Sequence, residues 1–437
     1  LEPFLGEPAT KAGAAAPLTG GWWRRWGVGR LFSAQMLSLF GSRLSLIVLF
    51  QIVFTARGRA WDLGKAAVLI ALPVLFLSPV SGWIADRFER RWVLVAVSCG
   101  RAVLTVGYVL ATDLWHFYGL IFLNGCLQTL SGPSFLALFS DLLEGKELVR
   151  ANAARVVFTN LVAVAGPPLG AVIYAFWGPV PVFLLDAATF ASAGLLVASL
   201  AGRRLQNSTP PNGQGAEFMR SGFGDTAKRA GGLWSGYREA LAFLRTHRPF
   251  FVFVIMETTV LAALFAMQNA LGLVFVERTL GHGVIHAGVF FGALAVGSMV
   301  AAILLARLGE EKGGRLRLVA GALLFDGVVL LAFSLNRWFP LTVGLTVLLG
   351  GIGAVIDVVY VATVQRSAPR NLQGKIFALR VFALGAVAPL AAGVSTALAD
   401  VVPVYQIFLV SAGVEIAAAL LFGAYLKISS TRSSRRL

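Results

Sequence analysis

Apolar residues in this chain gather into long runs separated by short polar connections, without the period-two alternation of strands. A helix rising 1.5 Å per residue needs roughly 18 or more apolar residues to cross a bilayer core about 30 Å thick. Twelve such runs are predicted as spans, near 31–54, 66–85, 92–111, 117–140, 155–176, 180–200, 250–275, 286–306, 318–335, 340–364, 376–398 and 404–426. The pattern predicts an all-α membrane protein and excludes a β-barrel, whose short strands alternate between lipid and lumen. An even number of spans returns both termini to the same face.

The polar segments divide the chain. Residues 1–24 are rich in Ala, Gly and Pro and are expected to be a disordered lead-in. A six-span bundle is expected over 25–201, a linker over 202–249, a second six-span bundle over 250–427, and a basic tail over 428–437. The linker begins with a flexible stretch, Gln206–Gly232. Beyond it Leu233, Trp234, Tyr237, Leu241 and Leu244 recur at helical spacing opposite Arg238, Glu239 and Arg245, predicting an amphipathic linker helix on the membrane surface. The two halves echo each other: Arg150–Arg155 leads to Gly166–Gly170, Arg370–Lys375 leads to Ala388–Gly393, and Pro167 matches Pro389. Such a repeat suits two bundles that rock about a site between them.

Composition agrees with the pattern. With 437 residues, 57% of them hydrophobic and 13% charged, the chain holds more apolar surface than one soluble core can hide. A net charge of +16 would suggest nucleic acid in a soluble protein. Here its distribution gives another meaning. Of the 37 Lys and Arg, only Arg57, Arg59, Lys65, Arg278 and Arg337 fall in one set of alternate loops, Arg43 and Arg101 lie inside spans, and the rest share the other face. That asymmetry predicts both termini in the cytoplasm, and no nucleic-acid partner. Cys99 and Cys126 both fall within spans, so no disulfide framework is expected. Leu1–Gly21 lacks an apolar core behind a basic start, so no cleavable signal is expected there.

The connection Ser81–Trp92 is dense with charge. Gly82 would let a neighbouring helix approach closely, and Asp86 sits among Arg87, Arg90 and Arg91. This resembles the loop between helices 2 and 3 of the major facilitator superfamily; Gly82, Asp86, Arg87, Arg90 and Arg91 fill its pattern, and Glu89 stands where a second Gly is usual. Arg307–Arg317 is similar to a degraded second copy. Gly132-Pro133, Leu148–Asn152, Ala165–Gly170, Val182–Ala188 and Tyr237–Pro249 resemble the branch containing macrolide efflux proteins and the enterobactin exporter. The resemblance implies two pseudo-symmetric six-helix bundles, spans 1, 4, 7 and 10 around a central cavity, and bacterial export by alternating access. Gly166, Pro167, Pro168 and Gly170 are similar to the span-five motif of antiporters in that superfamily. Pro removes an amide donor there and is expected to kink the helix, while Gly permits close packing.

Charges inside the spans are the candidate chemistry, because each costs roughly 2.5–3.5 kcal/mol at mid-bilayer unless paired or hydrated. Seven are counted: Arg43, Arg101, Asp186, Glu257, Asp326, Asp357 and Glu415. Arg43, Glu257 and Asp357 fall on cavity-lining spans at similar depth and are expected to meet. Two acids competing for one Arg would leave one carboxyl able to exchange protons, a proton-coupling site, and Asn124 and Gln128 would add hydrogen bonds to substrate. The bland alternative is a static ion pair. Arg101 with Asp186 is expected as a structural pair within the first bundle, and Asp326 and Glu415 in packing or water-facing roles. His282 and His286 are four apart but lack a third ligand nearby, so no metal site is expected. No nucleotide-binding loop, catalytic residue or cofactor motif is visible, so an enzyme is not expected. The expected function is proton-coupled export of amphipathic small molecules of the drug, macrolide or siderophore class, by a chain complete as a monomer, with protons and membrane lipid as its other partners. The alternatives are a lipid or lysophospholipid flippase and, with less support, a non-transporting sensor on the same fold.

Overall fold

The computed structural model describes residues 27–143, 145–200, 242–246, 248–257, 270–308 and 315–434. The lead-in, most of the predicted linker helix and the centre of the seventh span lie outside the described residues. The first half contains α1 (Val28–Arg57), α2 (Ala60–Arg87), α3 (Arg90–Leu110), α4 (Leu114–Leu142), α5 (Gly145–Trp177) and α6 (Pro179–Ala198). The second contains α7 (Arg248–Ile255), a π-helical turn at Phe275–Thr279, α8 (Val284–Leu308), α9 (Arg315–Leu335), α10 (Phe339–Ser367), α11 (Arg370–Leu398) and α12 (Val404–Ser434). Eleven helices among the described residues are long and apolar enough to cross a membrane. The seventh predicted span is described only at its two helical ends.

Most helices overrun their apolar runs, chiefly at the end where the basic connections lie. The predicted 155–176 becomes Gly145–Trp177, and 376–398 becomes Arg370–Leu398. Hydropathy marks only the stretch that sits in hydrocarbon, whereas a helix continues into water as long as its backbone bonds remain satisfied. The predicted tail is likewise helical as far as Ser434. Large apolar side chains such as Phe76, Val103, Leu195 and Leu421 stand exposed around the perimeter, as lipid-facing residues must.

The turn between α2 and α3 is made by two residues only. Phe88 and Glu89 are both extended, so this reversal needs no glycine and Glu89 serves where a second Gly was the expectation. Its basic residues tie helix ends of their own bundle together: Arg90 pairs with Asp141 at the end of α4, and Arg91 donates to the carbonyl of Ala198 at the end of α6. Cations at helix C-termini also meet the negative end of the dipole.

Among the described residues, α5 with α8 and α2 with α11 make the main contacts between the bundles. The tetrad predicted as a kink lies within α5, whose helix runs unbroken. Gly166 and Gly170 press on Arg43 and Leu44 of α1, inside their own bundle, while Pro167, Pro168 and Ala171 press on Gly288 and Gly292 of α8 in the other. A Cβ on Gly288 would lie 2.7 Å from Ala171 and 2.9 Å from the Pro167 carbonyl, so glycine is required there by the closeness of the two backbones. On the other side Gly64 of α2 meets Gly393 and Thr396 of α11. Gly64, Gly288, Ala171 and Thr396 all lie toward the end opposite the basic connections. At the basic end the expected close approach at Gly82 is not made: a Cβ there would meet nothing within 4 Å. Among the described residues the close inter-bundle glycine contacts gather at the end opposite the basic connections, while Gly82 at the basic end has open space beside it.

Candidate functional site

A cavity of about 410 Å³ opens among α1, α2, α3, α4 and α6 of the first bundle. Its polar wall includes Ser42, Arg43, Ser45, Arg101, Asn124, Gln128 and Asp186. Arg101 is buried and does not form the expected direct pair with Asp186. Its Nε donates to Asn124 Oδ1 at 2.8 Å and its Nη2 to Ser42 Oγ at 3.3 Å, with the guanidinium 4.1 Å from the centre of the Phe190 ring. Asp186 accepts instead from Ser45 Oγ, 2.6 Å, and its Oδ1 is buried without a hydrogen-bond partner. The two charges share a wall and feel one another, but neutral partners hold each one. Asn124, expected to contact substrate, is already engaged by Arg101. Gln128 is exposed on the cavity wall.

The second bundle brings Glu257 and Asp357 together, but the cation between them is not Arg43. It is Arg380 of α11. Its Nε donates to Glu257 Oε1 and Oε2 at 3.0 and 3.1 Å, its Nη2 also reaches Oε1, and the same Nη2 bonds Asp357 Oδ1 at 2.5 Å. The guanidinium lies 4.3 Å from the centre of the Tyr360 ring, which is packed against Phe253 and Phe377. Glu257 is buried, whereas the Asp357 side chain is 57% exposed. Sequence reading took the second half to hold only acids because Arg380 was counted with the preceding loop, although it lies inside the predicted run 376–398. Since α11 begins at Arg370, Arg380 is ten residues, about 15 Å, inside the helix. Its place within that run was the signal that could have found it.

Two further acids converge. Asp326 of α9 and Glu415 of α12 are both buried and adjoin each other, so they lie in the packing between helices and do not face water. The His282 and His286 rings lie beside each other, tilted by 39° with centres 4.3 Å apart, and both rest on Phe339.

The closed end is latched by polar contacts between the halves. Gln51 of α1 donates to Glu277. Arg278 donates to the Ala399 carbonyl at 2.6 Å, to the Gly58 carbonyl and to Asp400 Oδ1 at 2.9 Å. Asp400 in turn accepts from the amides of Ala60 and Trp61, 2.8 and 2.9 Å, capping α2 from the other bundle. Partial burial pushes the Asp400 carboxyl up, but those two amides and the Arg278 guanidinium outweigh it and hold the group below the usual carboxylate range. None of these latch residues was singled out from the sequence, where Arg278 served only in the charge count.

The family model of the Major Facilitator Superfamily matches residues 31–388. The chain belongs to the major facilitator superfamily. It is 23% identical to the multidrug efflux pump Tap of Mycobacterium tuberculosis over 86% of this chain and 88% of that protein. It is 19% identical to macrolide efflux protein A of Streptococcus pyogenes over 87% and 91% of the two chains. A shorter alignment, 28% identical, covers 38% of this chain and 40% of the MFS-type transporter YfiS of Bacillus subtilis. Among solved structures, the nucleoside transporter NupG superposes with a TM-score of 0.70 at 15% identity, covering 92% of this chain and 99% of that one. The peptide-family transporter PepTSo gives 0.65 at 12% identity over 93% and 98%. These superpositions establish the fold. The protein is a multi-pass member of a membrane-transporter family that has efflux pumps among its relatives.

Proposed function

We propose that this protein is a proton-coupled exporter that moves amphipathic small molecules out of a bacterial cell by alternating access. The observation that carries the reading is Arg380 held between Glu257 and Asp357. Two acids and one cation leave one negative charge unneutralised, and the Asp357 carboxylate is exposed. A proton taken up there weakens its carboxylate's hold on Arg380 and loosens the tie between α10 and α11. Release of the proton restores the three-way tie. The Arg43 expected at this point faces the first bundle's cavity instead.

In this reading the basic end faces the cytoplasm, and the described conformation is open inward and sealed outward. Substrate enters the first-bundle cavity, and the latch at Gln51–Glu277 and Arg278–Asp400 parts. The bundles pivot where Pro167 and Pro168 meet Gly288 and Gly292, which brings the Gly82–Arg91 connection against the opposite bundle. The efflux relatives support the outward direction, and one chain contains both bundles that the cycle needs.

The test is transport in proteoliposomes with an imposed pH gradient, following an ethidium-like dye, a dansyl-labelled fatty acid and a fluorescent lysolipid in parallel. Dye or fatty-acid movement should follow the gradient, stop when it is collapsed, and fall in both Glu257→Gln and Asp357→Asn. Undiminished proton-driven transport in both variants would remove the coupling role. Lysolipid movement without any gradient would replace the exporter with a flippase.

A further inference from the structure

The two sides of the central region carry opposite excess charge. Glu257 and Asp357 outnumber Arg380 in the second bundle, while Arg43 and Arg101 outnumber Asp186 in the first. Arg101 is the cation whose field Asp186 feels, which leaves Arg43 over. Arg43 makes no ion pair among the described residues. An unpaired cation at mid-span is costly unless it faces water or an anion. Arg43 is rooted against Gly166 of α5, and its side chain forms part of the cavity wall.

A second observation comes from the same wall. Asp186, the acid in this lining, is 3% exposed, accepts from Ser45 with one oxygen and packs its Oδ1 against Gly41 of α1, so it offers the cavity no free carboxylate to neutralise Arg43. Around Arg43 much of the remaining lining is apolar, with Leu31, Leu39, Leu46 and Phe135. A cavity built this way offers a cation for an anionic group and hydrocarbon for the remainder of the ligand.

We propose that Arg43 is the anion-recognition residue of this cavity, and that its ligand is an amphiphile bearing a carboxylate or similar anionic group. That the ligand is exported rests on the transport reading above; that it binds does not. A free organic acid and an anionic lysolipid share this chemistry, and a purely cationic amphiphile is disfavoured by Arg43.

The experiment is equilibrium binding to the full chain in lipid nanodiscs, without any pH gradient, with empty nanodiscs subtracted. The probes are a dansyl-labelled long-chain carboxylic acid and its methyl ester. The acid should bind wild type more tightly than the ester by roughly tenfold to a hundredfold, the range for loss of one charge-assisted hydrogen bond. Arg43→Gln should abolish that difference without moving ester binding, and Arg43→Lys should retain part of it. Competition by lysophosphatidylglycerol or by a free aromatic carboxylate then assigns the natural source, lipid or soluble acid. Equal binding of acid and ester to wild type overturns the proposal, and needs no variant to fold. An acid preference that survives in a monodisperse Arg43→Gln also overturns it. Failure of proton coupling would appear only in the gradient assay and leave these affinities unchanged.

Discussion

The two bundles bury their charges in different ways. In the first, Arg101 and Asp186 share a cavity wall yet each is held by neutral groups, Asn124 and Ser42 for the cation and Ser45 for the acid. In the second, Arg380 ties Glu257 and Asp357 by direct ion pairs across three helical segments. A charge held by neutral dipoles loses little when its geometry is kept and its charge is changed. A charge held between two opposite charges cannot be changed without leaving a partner exposed to a low-dielectric surrounding. The first arrangement suits a binding surface, and the second suits a switch.

The comparison breaks most readily at Arg380. Arg380→Gln leaves Glu257 and Asp357 facing each other without a cation, and removing one partner of a buried pair costs about 3–5 kcal/mol. The expected outcome is a large fall in melting temperature together with loss of gradient-driven transport. A variant that melts like wild type would show that the tie has no structural weight.

Next in size is the contact on which both bundles bear. Gly288→Leu forces a side chain into the Pro167 and Ala171 backbone, and overpacking of this kind costs about 1–3 kcal/mol. Spin-label distances between α5 and α8 should lengthen at the closed end, and they should not change in Gly82→Leu, whose side chain has open space in this conformation. Equal responses at the two glycines would contradict closure at one end only.

A smaller effect is expected in the first bundle. Asp186→Asn keeps the Ser45 contact and removes one charge near Arg101, so the stability change should stay within about 1–2 kcal/mol by thermal unfolding. A loss as large as that of Arg380→Gln would erase the distinction between the bundles.

The smallest effect concerns the latch. Because Asp400 is held below the ordinary carboxylate range, its contribution is complete above about pH 4 and is lost only as pH falls through the lower folded value. The closed-end distance between α2 and α11 should therefore be flat from roughly pH 5 to 8 and open in strongly acidic buffer. Asp400→Asn should weaken the latch by no more than about 1 kcal/mol, since the group is partly exposed and screened. A midpoint near neutral pH would mean that another group controls this end.

Parts of the site were legible before the fold was known. Gly166–Gly170 stood out by its similarity to the span-five motif, with a kink and close packing expected, and its prolines form an inter-bundle contact with Gly288 and Gly292. The depth of Glu257 and Asp357 along their spans was also readable, and they do converge. Their cation was misassigned because depth along a helix leaves its rotation open. Arg43 has a suitable height, but its root turns toward Gly166 of α5, whereas Arg380 turns toward Tyr360 and both acids. The same ambiguity hid the Asp326–Glu415 contact and the Asn124 partner of Arg101.

By itself the sequence determined the spans, their alternation, the basic end and the internal repeat. The reason is local: in lipid each backbone must satisfy its own hydrogen bonds, so an apolar run of sufficient length becomes a helix whatever surrounds it. Only the tertiary structure decided which buried charges meet, which end of the molecule is closed, and that Arg43 stands apart from every acid among the described residues. Those outcomes depend on helix rotation and on the approach of two bundles, which arise from packing between segments far apart in the chain and leave no periodic trace in either one.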